Sequence, residues 1–149
     1  MLMKQMFAVT VGAMFTFVAP SIAGETPRPE GAAVYFVNLA DGDTVTSPFK
    51  VIFGLTGMGI APAGVENENT GHHHLLIDRP ALGEGPEGAD ELEYGLPADE
   101  NHIHFGGGQT ETMVELPPGQ HTLQMVLGDY SHVPHAEPVT SEVITITVE

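Results

Sequence analysis

Turn-forming residues constrain this chain more than anything else. Gly (18) and Pro (12) make up about a fifth of its 149 residues. Both are poor in helix interiors, Gly by ~1 kcal/mol and Pro by ~3 kcal/mol relative to Ala. Their spacing leaves little room for a long helix, and what lies between them is short, apolar and β-branched. In Phe49–Leu55, Phe49, Val51, Phe53 and Leu55 alternate with Lys50, Ile52 and Gly54, a period of two. Ala32–Leu39, His72–Asp78, Asn101–Phe105, Thr110–Leu116, His121–Leu127 and Val143–Val148 are runs of the same kind. Asp41-Gly42-Asp43, Gly106–Gly108 and Pro117-Pro118-Gly119 mark turns between them. About seven short strands, with a turn every eight to twelve residues or so, predict an all-β fold. The expected architecture is an immunoglobulin-like antiparallel β-sandwich, with a small β-barrel as the alternative.

The beginning of the chain follows a different pattern. Lys4 precedes an apolar run, Met6–Ala19, and then Pro20 and the small-x-small triplet Ser21-Ile22-Ala23. That order is the order of a secretory signal peptide, and the run is short of the ~20 residues a membrane span needs. Residues 1–23 are therefore expected to be removed near Ala23, leaving a bacterial periplasmic or secreted protein with no membrane attachment. Gly24–Gly31 (GETPRPEG) is expected to be a flexible Pro-rich leader, and residues 32–149 a single sandwich domain.

Charge and cysteine content exclude several functions. Four Lys+Arg against 20 Asp+Glu give a net charge of −16, which leaves no basic footprint for nucleic acid. Cysteine is absent, so there is no disulfide, thiolate nucleophile or thiolate metal site. No Ser sits in a G-x-S-x-G elbow, and no H-E-x-x-H is present. The acidic stretch Arg79–Pro97 reads as a solvated loop or a cation-attracting lid; it lacks EF-hand spacing.

The chemistry is in the histidines. Seven of the eight lie in three motifs: His72-His73-His74, His102-Ile103-His104 and His132-Val133-Pro134-His135. In a strand, residues i and i+2 share a face, so His72 pairs with His74, and His102 with His104. His132 and His135, in a loop stiffened by Pro134, are placed to close over them. Neutral imidazole suits copper, zinc and nickel. The expected metal ligands are His72, His74, His104, His132 and His135, with His102 and the thioether of Met125 in reserve. Asp78, Glu111 and Asp129 are the acids expected to assist. Metal affinity should fall as imidazoles protonate near pH ~6.5. Two other uses of the same residues stay open: a hydrogen-bonded histidine network in a non-enzymatic interaction module, and a metal-dependent enzyme lidded by Arg79–Pro97. His121, alone on an apolar face, reads as structural. Gly106–Gly108 reads as a tight turn that aims His104 and Gln109.

Three stretches carry a family resemblance: GHHHLLID (Gly71–Asp78), HIHFGGGQTET (His102–Thr112) and PGQHTLQMVLGDYSHVPHAEPVTSEVITI (Pro118–Ile146). Together they resemble the bacterial exported proteins grouped as domain of unknown function 4399, over about Val34 to Val148. The resemblance implies recurrent histidines at His72, His73, His74, His104, His121, His132 and His135, and no defined activity. A weaker, fold-level likeness is to periplasmic copper-resistance sandwiches. The function expected is storage or delivery of a transition metal, copper first, with a periplasmic metal-trafficking protein as a partner.

Overall fold

The computed structural model describes residues 24–149; the expected signal peptide lies outside the described residues. In chain order the elements are β1 (Ala33–Phe36), β2 (Thr44–Val45), β3 (Phe49–Thr56), β4 (Gly59–Ile60), β5 (Thr70–Ile77) and helix α1 (Gly88–Tyr94). Then come β6 (His102–His104), β7 (Glu111–Val114), β8 (Gly119–Gly128), β9 (Pro134–Thr140) and β10 (Ile144–Val148).

The fold is an all-β sandwich and not a closed barrel. One sheet has the order β1-β3-β7; the other runs β2-β10-β8-β5-β4. Strand β8 is the spine of the larger sheet. One of its edges is shared by β10, through Ile144↔Leu123, and β9, through Leu127↔Val139. Its other edge takes β5, with His74 opposite Val126 and Leu75 opposite Met125. The far edge of β5 is shared by β4 and β6. Pairing is antiparallel except for two short parallel contacts, β2 with β10 and β4 with β5, so the larger sheet is mixed.

The period of two in the sequence becomes the core. Val51, Phe53 and Val114 from one sheet meet Leu75, Ile77, Leu123, Met125, Leu127 and Ile146 from the other. Burying each such side chain contributes about 1.5–3 kcal/mol. A second, smaller cluster forms on the outer face of the larger sheet, where Leu76 and Val126 meet Leu96, with Leu82 against them. This cluster anchors the acidic segment.

Three expectations are corrected. Arg79–Pro97 is not a free solvated loop, because it contains α1 and covers the outer face through Leu82, Leu96 and the buried Glu91. Acidic Asp90 and Glu91 in the first turn suit the positive end of the helix. His135 lies in β9, not in a loop, since β8 offers an edge for Pro134–Thr140 to pair with. The leader is docked: Thr26 donates to the Asp129 carboxylate at 2.6 Å and its carbonyl accepts the Ala136 N–H at 2.9 Å. Among the described residues no helix is long and apolar enough to cross a membrane.

Candidate metal centre

Strand parity and register build this site. On β5, His72 and His74 project to the outer face while His73 turns inward and packs on Phe53. Antiparallel pairing sets His104 directly opposite His74 and His102 opposite Leu76. The two HxH motifs therefore present their rings on one patch. Ring centroids are 4.8 Å apart for His72–His74, 4.9 Å for His72–His104 and 5.1 Å for His74–His104. One ligand nitrogen from each of these three rings lies within 4.8 Å of the others.

His132 supplies the next ring, 4.6 Å from His104 and 5.0 Å from His72. Its backbone is held at φ 69°, the left-handed region, which costs about 1–3 kcal/mol in a residue with a side chain. The surrounding turn enforces it. The Asp129 carboxylate accepts the N–H groups of Ser131 and Val133 at 2.8 and 3.0 Å, and the Leu96 N–H donates to the His132 carbonyl at 3.0 Å. Asp129 is thus a buried scaffold for His132.

Two glycines keep the rings clear. A Cβ at Gly128 would stand 2.7 Å from His74 Nε2, and one at Gly106 would stand 2.7 Å from His104 Nε2. Gly106 explains part of the triple glycine. The remainder is a turn in which the Gly107 N–H donates to Gln109 Oε1 at 2.9 Å.

The electrostatics keep the cluster neutral. Burial pushes His72 and His102 down to about 4 and His74 to about 2, and neighbouring rings push His72 and His74 further the same way. His104 is also lowered, first by burial and then by His132. Neutral imidazoles are what a metal requires. His72 Nε2 and His74 Nε2 lie 3.0 Å apart. That is hydrogen-bond distance, and it also falls in the ~2.9–3.4 Å range of two nitrogens bound to one ion at ~2.0–2.1 Å. His104 Nε2 and His72 Nδ1 are buried without a hydrogen-bond partner. The donor set, the spacing and the glycine cradle all fit a bound metal ion. A cleft of about 380 Å³, lined by Tyr94, Leu96, Pro97, Ser131, His104 and His132, reaches the cluster from solvent.

The structure thus brings together four of the five expected ligands, His72, His74, His104 and His132, with the reserve His102 at 5.2 Å from His74. His135 stands apart: it is fully buried, with its ring against the backbone of Leu127 and Thr70, and burial lowers its pKa. Met125 is a correction too. It faces the sandwich core with Leu123 and Leu127, on the opposite side of the sheet from the cluster. Glu111 pairs with Lys50 at 2.8 Å. Asp78 accepts from His121 Nδ1 at 2.7 Å, while His121 Nε2 donates to the Pro117 carbonyl at 2.9 Å. Both partners are acceptors, so the contacts favour the protonated ring, and the Asp78 contact raises its pKa.

Sequence reasoning missed Gly128, Arg79 and Glu91. Arg79 was visible as one of only four basic residues, set inside an acidic segment.

Comparison with known proteins agrees with the motif pattern. No curated protein and no solved structure matches the chain. The sequence model of the family described as Domain of unknown function (DUF4399) matches residues 51–149, from within β3 to the end and including every histidine of the cluster. The chain belongs to this DUF4399 family.

Proposed function

We propose that the protein is an exported binder of a transition-metal ion, copper first and zinc or nickel as alternatives, which it stores or delivers. The convergence of His72, His74 and His104 nitrogens within 4.8 Å of one another is the observation that carries this function. His132 is the fourth ring and His102 the buried neighbour that orients His74. An imidazole set with no thiolate and no thioether within the cluster favours Cu(II), Zn(II) or Ni(II) over Cu(I). The ion would be held by neutral rings and reached through the cleft at His104 and His132, where a periplasmic metal-trafficking partner would exchange it. That same cleft favours a second function, a metal-dependent enzyme with an open coordination position.

The test is metal content by mass spectrometry on untagged protein purified from the periplasm, followed by copper and zinc titration. One ion per chain is expected in the wild type, with loss in His74→Ala and in the half-exposed His104→Ala. A metal-free protein that also ignores micromolar metal would instead make the histidines a structural hydrogen-bond network.

A further inference from the structure

A line of hydrogen bonds runs from the cluster to the acidic cover, and metal ligation alone does not require it. At its outer end the Glu91 carboxylate holds the Arg79 guanidinium, both largely buried. Arg79 Nη1 lies 3.3 Å from His102 Nδ1. His102 Nε2 lies 3.1 Å from His74 Nδ1, and His74 Nε2 lies 3.0 Å from His72 Nε2.

Arginine has donors and no acceptor, and a neutral imidazole has one of each. Those two facts fix the direction of the whole line. His102 Nδ1 must accept from Arg79, so its hydrogen is on Nε2 and is donated to His74 Nδ1. The hydrogen of His74 is then on Nε2, donated to His72 Nε2. His72 keeps its own on Nδ1, the buried nitrogen that has no partner.

We propose that Arg79, braced by Glu91, is a positioning residue that sets this direction and latches the metal centre, because it keeps a hydrogen on His74 Nε2. The consequence for metal rests on the metal-binding function proposed above; the direction of the chain does not. To offer the His74 Nε2 lone pair, His74 must carry its hydrogen on Nδ1 and donate to His102 Nε2. His102 must then carry its hydrogen on Nδ1, facing Arg79. Each ring still holds one hydrogen, on its other nitrogen, and no proton is gained or lost. Two donors now oppose each other, so Arg79 has to withdraw. Space for it exists: Arg79 and Glu91 line a cleft of about 360 Å³ with Glu84, Glu87 and Asp99, acids that would receive the cation.

Nitrogen-15 NMR of the histidines in metal-free full-length protein tests the latch. The wild type should show hydrogen on Nε2 of His74 and His102 and on Nδ1 of His72. Arg79→Met removes the donor at similar length; His102 and His74 should then populate Nδ1–H, and Cu(II) should bind on the order of tenfold more tightly. Arg79→Lys, which restores a cationic donor, should return both readouts toward wild type. Should Arg79→Met unfold because Glu91 is left unpaired, the double variant Arg79→Met/Glu91→Gln carries the same expectation. Hydrogen on His102 Nδ1 in the wild type, or identical tautomers in wild type and the Met variant, overturns the proposal. Tautomers as expected but no Cu(II) binding by either protein would support the chain direction and defeat the metal-binding function.

Discussion

Along β5, His73, Leu75 and Ile77 face the sandwich core, while His72, His74 and Leu76 face the acidic cover. Leu75 and His74 are both 0% exposed. Their surroundings differ. Leu75 sits among Met125, Leu123 and other apolar side chains. His74 sits among His72, His102, His104 and His132, and its neighbours leave buried nitrogens without partners. Burial on the first face stabilises the fold through apolar contact. Burial on the second holds polar rings neutral and close together, which costs stability unless each nitrogen finds a partner. One strand thus serves a core on one side and a site on the other.

That contrast can be broken from either side. The largest stability loss should come from Leu75→Ala, about 2–5 kcal/mol by denaturant unfolding, through cavity formation in the core. His74→Leu should cost less, about 1–3 kcal/mol, because His102 and His72 lose one partner each. It should nevertheless abolish metal binding by calorimetry. A stability loss larger than that of Leu75→Ala would make His74 a core residue first.

Acid should also separate the faces. Below the ordinary 6.5 the unfolded chain protonates its histidines, whereas the folded cluster resists down to about 4 for His72 and His102 and about 2 for His74. The unfolded state then binds more protons, so stability present above 6.5 is lost as pH falls through that window. Metal binding should weaken as pH falls and do so later than for free imidazole, because burial lowers His72, His74 and His104. Titration of stability and of affinity against pH checks both.

Smaller effects sharpen the comparison. Gly128→Ala puts a methyl 2.7 Å from His74 Nε2 and should weaken metal binding roughly tenfold with the fold intact. His135→Phe should leave affinity unchanged, because β9 carries His135 outside the ring cluster. Altered affinity in that variant would bring His135 back into the site.

Much of the fold was legible because period-two alternation is a local signal. Phe49–Leu55 needed only its own residues to be read as a strand, and the HxH motifs only strand parity to place two rings on one face. The rest depends on partners far along the chain. His135 is three residues from His132, but β9 pairs with β8 and turns the two rings to different places. Pro134 and Pro138 disguise that strand, which is tolerated because it lies on an edge. Met125 was misjudged as a reserve ligand because composition says nothing about which face of a sheet a soft side chain takes. Helix α1 is two turns long between Gly and Pro, below what propensity reveals. The Arg79–Glu91 pair joins residues 12 apart in a segment whose acidity looked like mere solvation.

The most direct test of the central claim is electron paramagnetic resonance of the protein titrated with Cu(II). One bound ion per chain is expected, with coupling to several imidazole nitrogens, lost in His74→Ala and in His104→Ala. A spectrum of unbound copper, or an unchanged bound signal when His72, His74 and His104 are replaced together, would contradict it.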